Sequence, residues 1–122
     1  MKYTRLFADA DGESHFEDVD EAMQEVVYAP PAPAILMGTP HEVNRAIVSV
    51  LPAGFRGDWH NTPVRQFYVQ LSGRIEVEVS DGERRQFGPG DLTLVEDTHG
   101  KGHLTVVVSD GPAQAIFIQL AG

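Results

Sequence analysis

The chain has 122 residues, a formal net charge of −9 and no cysteine. This length fits one domain, and the lack of cysteine excludes disulfides, thiolate metal sites and a cysteine nucleophile. The negative charge disfavours binding to nucleic acid or to an anionic membrane surface. No apolar stretch approaches the ~18 residues that cross a bilayer, and the first residues lack a signal-peptide core. We therefore expect a cytoplasmic protein.

The N-terminal third is weakly patterned. Residues 1–44 contain four prolines, which disfavour long helices. Residues 14–19 could form a short strand, whereas residues 20–27 could form one or two helical turns, and the pattern does not decide between them. Residues 1–25 hold eight acidic and two basic residues, −6 of the net −9, so we expect a solvated acidic surface there. We predict that residues 1–44 form an extension that packs on the following domain or on a partner subunit.

From residue 45 the chain consists of short apolar or alternating segments separated by glycine and proline turns. The clearest strand is 74–79, in which apolar and charged residues alternate, and Asp81-Gly82 after it is a hairpin signal. The other predicted strands span 45–51, 65–71, 92–95, 104–108 and 113–120. Regularly spaced short strands predict an all-β sandwich or barrel over residues 45–122.

The predicted strand 65–71 has one polar and one apolar face. Its polar face consists of Gln66, Tyr68 and Gln70. An edge strand would direct this face to solvent, whereas a barrel that encloses a small wet cavity would direct it inward. The inward arrangement requires the N-terminal segment or a second subunit to cover the apolar face, which consists of Phe67, Val69 and Leu71.

Five residues between 54 and 73 follow a known spacing. They are Gly54, His60, Thr62, Gln66 and Gly73. This pattern closely resembles the first motif of the cupin superfamily, which runs Gly, five residues, His-x-His, three or four residues, Glu, six residues, Gly. Thr62 stands in place of the second His, and Gln66 stands in place of the Glu. Downstream, the Pro-Gly-Asp at residues 89–91 resembles the opening of the second cupin motif.

The second cupin motif also contains a histidine after a short turn, and the expected spacing falls on Lys101. His99 lies two residues earlier and His103 two residues later. We favour His103, because Gly100 and Gly102 suit a tight turn. His103 then begins an apolar strand, which is where the family places its metal-binding histidine.

The resemblance covers about residues 45–120. It implies a double-stranded β-helix barrel of the jelly-roll type, which is usually dimeric. Such a barrel holds one divalent metal ion, such as Fe, Mn, Ni or Zn. In this chain an extended proline-rich segment precedes the barrel. The ligands implied are His60, Gln66 and His103, and the groups expected to position substrate or water are Thr62, Tyr68 and Gln70. Because Gln66 is neutral, the ion would keep its +2 charge, so we expect weaker metal affinity and a more acidic bound water.

Two functions fit these residues. The first is a homodimeric, metal-dependent cupin that acts on a small polar organic molecule by dioxygenase, isomerase or lyase chemistry. The second is a non-catalytic, metal-free barrel that binds a small molecule or sugar, because the loss of a His and the exchange of Glu for Gln also fit a cupin that has lost its metal. A purely structural or partner-binding domain would leave the inward polar face unexplained.

The remaining histidines and the single tryptophan are expected to lie outside the site. His15 could reach the cavity or lie on a surface strand, and we expect the surface. His41 and His99 are expected to be exposed. Trp59 is expected to pack rather than to contact a ligand.

Overall fold

A computed structural model describes every residue from Met1 to Gly122. It contains eleven strands and no helix, which confirms the predicted all-β class. No segment forms a helix long and apolar enough to cross a membrane. The strands are β1 (Lys2–Ala8), β2 (Ser14–Asp20), β3 (Gln24–Val26), β4 (Ile35–Met37), β5 (Val43–Leu51), β6 (Gln66–Ser72), β7 (Ile75–Val79), β8 (Arg84–Phe87), β9 (Leu92–Val95), β10 (His103–Val107) and β11 (Ala113–Leu120).

The strands form two main sheets and a separate hairpin. The larger sheet has six strands in the order β2-β1-β9-β6-β11-β5, the smaller has the order β10-β7-β8, and β3 pairs only with β4. The largest cluster of buried apolar side chains includes Leu6 and Tyr68 from the larger sheet and Val77 and Val107 from the smaller one. The core therefore lies between the two sheets.

The strands predicted after residue 45 are all present, within one or two residues of the expected limits. Asp81-Gly82 forms the turn between β7 and β8, with Gly82 at φ 97°. The predicted extension contains more regular structure than its pattern indicated. Residues 2–20 supply β1 and β2 of the larger sheet, and β1 runs parallel to β9. The undecided residues 20–27 contain the short strand β3 and no helical turn.

The acidic N-terminal region is partly paired with basic residues from other parts of the chain. Arg85 lies 2.7 Å from Asp18, and Lys101 pairs with Glu13. Arg5 binds both Glu17 and Glu96. The predicted solvated surface is therefore partly neutralised, although pairs this exposed stabilise the fold little.

The outward face of β6 is covered by residues that precede β5. The rings of Tyr3 and His41 both meet Phe67 edge-on, at centroid distances of 5.9 and 5.1 Å. Phe67 also belongs to a small buried cluster with Leu94 and Leu120. The N-terminal residues thus supply part of the cover that the sequence required, while Leu71 at the end of β6 remains 49% exposed.

His15 joins two turns of the fold. Its Nε2 lies 2.7 Å from Asp9 in the β1–β2 turn, and its Nδ1 lies 2.8 Å from Asp81 in the β7–β8 turn. The hydrogen bond to Asp9, together with the one to Asp81, raises the pKa of His15 above its ordinary value of 6.5. His15 lies at the surface, as expected, and does not line the cavity described below.

The His15 contacts predict a pH-dependent contribution to stability. Because the pKa of His15 is raised in the folded chain, its contribution is fully present below about pH 6.5 and is lost as the pH rises through the folded-state pKa. We expect His15→Gln to lower the free energy of unfolding in urea more at about pH 6 than at about pH 8.5. The exposed His99 offers a matched control, since His99→Gln should leave this pH dependence unchanged. Equal losses at both pH values would contradict the assignment.

Candidate functional site

A cavity of about 420 Å³ lies between the two sheets, and ten of its nineteen lining residues are hydrophobic. The lining consists of Leu6, Ile47, Ser49, Leu51, Phe55, His60, Thr62, Pro63, Gln66, Tyr68, Ile75, Val77, Phe87, Thr93, Val95, His103, Thr105, Phe117 and Gln119. Of these, Ile47, His60 and Pro63 are exposed. The cavity therefore opens to solvent beside His60.

His60 and His103 are brought together by backbone pairing. His60 lies in the loop between β5 and β6, and His103 begins β10. The two residues exchange backbone hydrogen bonds of 3.1 and 2.9 Å, and their ring centroids are 4.5 Å apart. Gly102 permits this approach, because its φ is +78° and a Cβ there would collide with the His60 carbonyl. Two of the three predicted metal ligands are thus neighbours.

Both imidazole rings are oriented by an acceptor at Nδ1. His103 Nδ1 lies 2.6 Å from Asp97 Oδ2, and Asp97 is fully buried. His60 Nδ1 lies 2.8 Å from the backbone carbonyl of Asp58. Since a carboxylate and a carbonyl only accept, each neutral ring donates from Nδ1 and keeps an unprotonated Nε2. This is the arrangement in which a histidine binds metal through Nε2.

Thr62 holds the N–H group of the Gln66 side chain, as the acceptors at Nδ1 hold those of the two histidines. The Gln66 Nε2 donates to Thr62 Oγ1 at 3.1 Å, and Thr62 Oγ1 donates to the Val64 carbonyl at 2.7 Å. The Gln66 Oε1 is buried and has no hydrogen-bond partner. A buried acceptor without a partner is uncommon in a folded protein. The third predicted ligand therefore also presents a free acceptor, and the Thr62 hydroxyl orients the Gln66 amide.

Tyr68 lies two residues after Gln66, on the same face of β6, and lines the cavity. Its ring meets that of Phe117 edge-on at 5.2 Å, and its hydroxyl is buried without a partner. Burial raises the pKa of Tyr68 to about 12. The phenol is therefore neutral at ordinary pH, so it can donate a hydrogen bond but cannot act as a base.

Gln70 does not join this group, in contrast to the prediction from its position in the strand. It is fully buried but does not line the cavity, and its Nε2 donates to the Ser72 carbonyl of the same strand at 2.7 Å. Gln66 and Tyr68 do line the cavity. Beyond Tyr68, the pairing of β6 with β11 shifts register between Gln114 and Ala115, and the cavity ends before residue 70.

Asp97 is the residue that motif spacing missed. It follows β9, where Thr93 and Val95 face the cavity, so continued alternation would have placed Asp97 on the same side. Its neighbour Glu96 faces outward. Burial alone would raise the pKa of Glu96, but hydrogen bonds from Arg5 and Arg65 lower it below the ordinary value. The two adjacent carboxylates therefore serve different partners, and only Asp97 contacts a candidate ligand.

The other singled-out residues lie away from the cavity. His41 and His99 are exposed, as predicted. Trp59 was expected to pack, but it is 45% exposed, because the loop that carries it follows the surface rather than a strand. Its position next to His60 makes the single tryptophan of the chain a natural fluorescence reporter of the site.

The side chains at this site could hold a divalent ion only if the Gln66 amide is one of its ligands. No group of three His, Cys, Asp or Glu side chains is close enough to hold a metal. His60 and His103 each offer Nε2, and Gln66 offers Oε1, a combination of nitrogen and oxygen donors that suits first-row metals. The residues present therefore fit such an ion through their free acceptors.

Two sheets with a cavity between them define a β-barrel of the jelly-roll type, as predicted. A sequence model described as the cupin domain (Cupin_2) matches residues 46–119, more than half of the chain. The chain belongs to the cupin family, and the resemblance read from its motifs is confirmed.

Solved structures support this fold. The chain is similar to a Cupin 2 conserved barrel domain protein from Salinispora arenicola CNS-205, with 20% identity, a TM-score of 0.54, and coverage of 84% of this chain and 76% of that one. It is also similar to the Schizosaccharomyces pombe Cnp3 cupin domain, with 14% identity, a TM-score of 0.54, and coverage of 89% and 73%. No curated protein matches the chain significantly.

Proposed function

We propose that this cupin holds a divalent metal ion at the mouth of its cavity and acts on a small organic molecule bound in the barrel. The ligands are His60, Gln66 and His103. One observation carries the proposal: each of these side chains has its N–H group engaged by a neighbour and its acceptor free. An orphaned buried acceptor such as Gln66 Oε1 costs free energy unless something binds it.

A bound ion would supply Lewis-acid chemistry, the common basis of dioxygenase, isomerase and lyase reactions. The chain's own contribution is orientation. Asp97 holds His103 in one tautomer, and Thr62 holds the Gln66 amide in one orientation. Tyr68, which remains protonated, donates a hydrogen bond to a molecule in the cavity. Because His60 is exposed, the site is open to water and to entering substrate.

The direct test is a metal inventory. The purified chain is stripped with a chelator, dialysed against equal concentrations of Fe²⁺, Mn²⁺, Ni²⁺ or Zn²⁺, and analysed for metal by mass spectrometry. We expect about one ion per chain for at least one of these metals. Metal well below one ion per chain for all four would overturn the proposal.

A metal-free binding barrel is the second candidate, and one observation favours it. The donor set contains two imidazoles and no carboxylate, so no charge on a ligating atom offsets that of the ion, and the Asp97 carboxylate contacts only the Nδ1 side of His103. In this case His60, Gln66 and His103 would bind the ligand directly through hydrogen bonds. Ligand binding that is unchanged by metal or chelator would favour this function.

We further propose that the chain forms a homodimer through two exposed apolar surfaces. The first is β5, an edge strand with Val48 81% and Val50 57% exposed. The second is the β3–β4 hairpin, with Leu36 65% exposed and Tyr28, just after β3, 68% exposed. An isolated two-stranded hairpin is marginally stable in water, and an exposed edge strand invites pairing. Packing of the hairpin of one copy on β5 of another would cover both.

A charged side chain introduced at the proposed interface should dissociate the dimer. We expect the chain to elute in light-scattering chromatography at twice its 13.3 kDa mass, and Val48→Glu to elute at 13.3 kDa. Val108, which is 44% exposed after β10, provides the matched control, since Val108→Glu should remain a dimer. A monomeric wild-type chain would contradict the proposed dimer.

A further inference from the structure

The cavity wall carries no charged side chain. None of its nineteen lining residues is Asp, Glu, Lys or Arg. An ionic group that entered would lose its hydration without gaining a counter-charge from the wall, which is unfavourable. The part of the ligand that lies inside the cavity is therefore uncharged, and a charged group could lie only at the mouth.

Eight of the lining residues besides Tyr68 have polar side chains, and several of these side chains are engaged within the protein. Ser49 Oγ donates to the Ala115 carbonyl, and Gln119 Oε1 accepts from Arg45. Gln66 is bonded to Thr62, and His60 is bridged through its backbone to His103. A sugar carries a hydroxyl on nearly every carbon, and the apolar side chains that make up more than half of this wall would leave several of those hydroxyls without a partner.

Apart from Thr93 and Thr105, the remaining wall is apolar and partly aromatic. Phe55, Phe87 and Phe117 line it together with aliphatic side chains from both sheets. Among these side chains lies the Tyr68 hydroxyl, a donor that is buried without a partner. A volume of about 420 Å³ lies within the ~300–1,000 Å³ typical of small-molecule sites.

From this wall we infer that the ligand is a neutral, largely apolar and aromatic molecule with a single hydroxyl-bearing end, of the phenol class. Its ring packs among the aromatic side chains, and its oxygen accepts a hydrogen bond from Tyr68. This inference rests on the proposed function, in which a small molecule occupies the barrel, but it replaces the polar substrate that the sequence indicated. It does not depend on a bound metal.

The test compares four probes of matched shape or size by isothermal titration calorimetry with the chelator-treated chain. They are p-cresol, toluene, p-toluate and glucose. We expect p-cresol to bind at least about tenfold more tightly than p-toluate, because the carboxylate must be desolvated, and glucose not to bind measurably. Tighter binding of p-toluate or glucose than of p-cresol, or no binding of p-cresol, would overturn the inference.

Tyr68→Phe locates the binding site and tests the hydrogen bond. Removing an unpartnered buried hydroxyl should not destabilise the fold, so the variant is a clean comparison. We expect its affinity for p-cresol to fall about three- to tenfold, which corresponds to one hydrogen bond, and its affinity for toluene to stay the same. An unchanged affinity for p-cresol would overturn the assigned contact.

The two proposals fail separately. Metal binding is measured by the inventory above, without any organic probe. If p-cresol is preferred and no metal binds, the ligand class stands and the metal centre is wrong. If metal binds and p-toluate or glucose is preferred in the stripped chain, the metal centre stands and the ligand class is wrong.

Discussion

His60→Ala is expected to weaken divalent-metal binding by at least about 100-fold, or about 2.7 kcal/mol. The substitution removes one of three protein ligands and leaves an amide and one imidazole, too few to hold a first-row ion firmly. His60 is exposed and its side chain bonds only to the Asp58 carbonyl, so the fold should survive its loss. Quenching of Trp59 fluorescence by Ni²⁺, together with calorimetry, measures the effect.

His99→Ala is the matched control for this experiment. His99 is also exposed and lies only four residues before His103, but it does not line the cavity. We expect its metal affinity to equal that of the wild-type chain. Equal metal affinity of His60→Ala and the wild-type chain would remove His60 from the metal centre. Equal losses in both variants would indicate non-specific binding by surface histidines.

Gln66→Glu is expected to tighten divalent-metal binding by at least about tenfold, or about 1.4 kcal/mol. The wild-type donor set is neutral, so a carboxylate at residue 66 would add a full charge next to the ion. The same substitution should lower the stability of the metal-free chain, because residue 66 is buried and a carboxylate there would be desolvated. Added metal should restore that stability by mass action.

Gln114→Glu is the control that distinguishes the effect of a carboxylate at residue 66 on metal affinity from the effect of the chain's net charge. Gln114 is exposed on β11, and Ser72 donates to its Oε1, a bond that a carboxylate can also accept. This variant adds the same charge without approaching the cavity, and its metal affinity should be unchanged. If Gln66→Glu behaves like Gln114→Glu, residue 66 is not a ligand. Both results are read from calorimetric titration and from melting temperature with and without metal.

One ligand of the proposed centre lies farther out than the motifs suggested. A group enclosed by the barrel is expected, and Gln66 and His103 are buried, but His60 is exposed at the mouth. The cause is local. His60 is held in a loop by an isolated backbone bridge and not by a strand of either sheet. An ion there would have water on one side and the apolar cavity on the other, an arrangement that exposes open coordination positions to a ligand in the barrel.

The sequence alone determined the all-β class, most strands after residue 45, and the family. These depend on local features: alternation in 74–79, the Asp81-Gly82 turn, and motif spacing that constrains the backbone. It did not reveal β1, because residues 2–8 mix apolar and polar side chains without clear alternation, and their strand is stabilised by pairing with β9 and by burial of Leu6.

Only the tertiary structure decided which polar groups meet. Asp97 orients His103, Thr62 orients Gln66, and Gln70 lies outside the cavity. Such contacts depend on register shifts and on close approaches between distant loops, and periodicity in one strand does not encode them. The charge-free wall likewise combines residues from both sheets, so the pattern of a single strand does not reveal it. Local patterns thus specified the scaffold, while packing between distant segments determined the chemistry of the cavity.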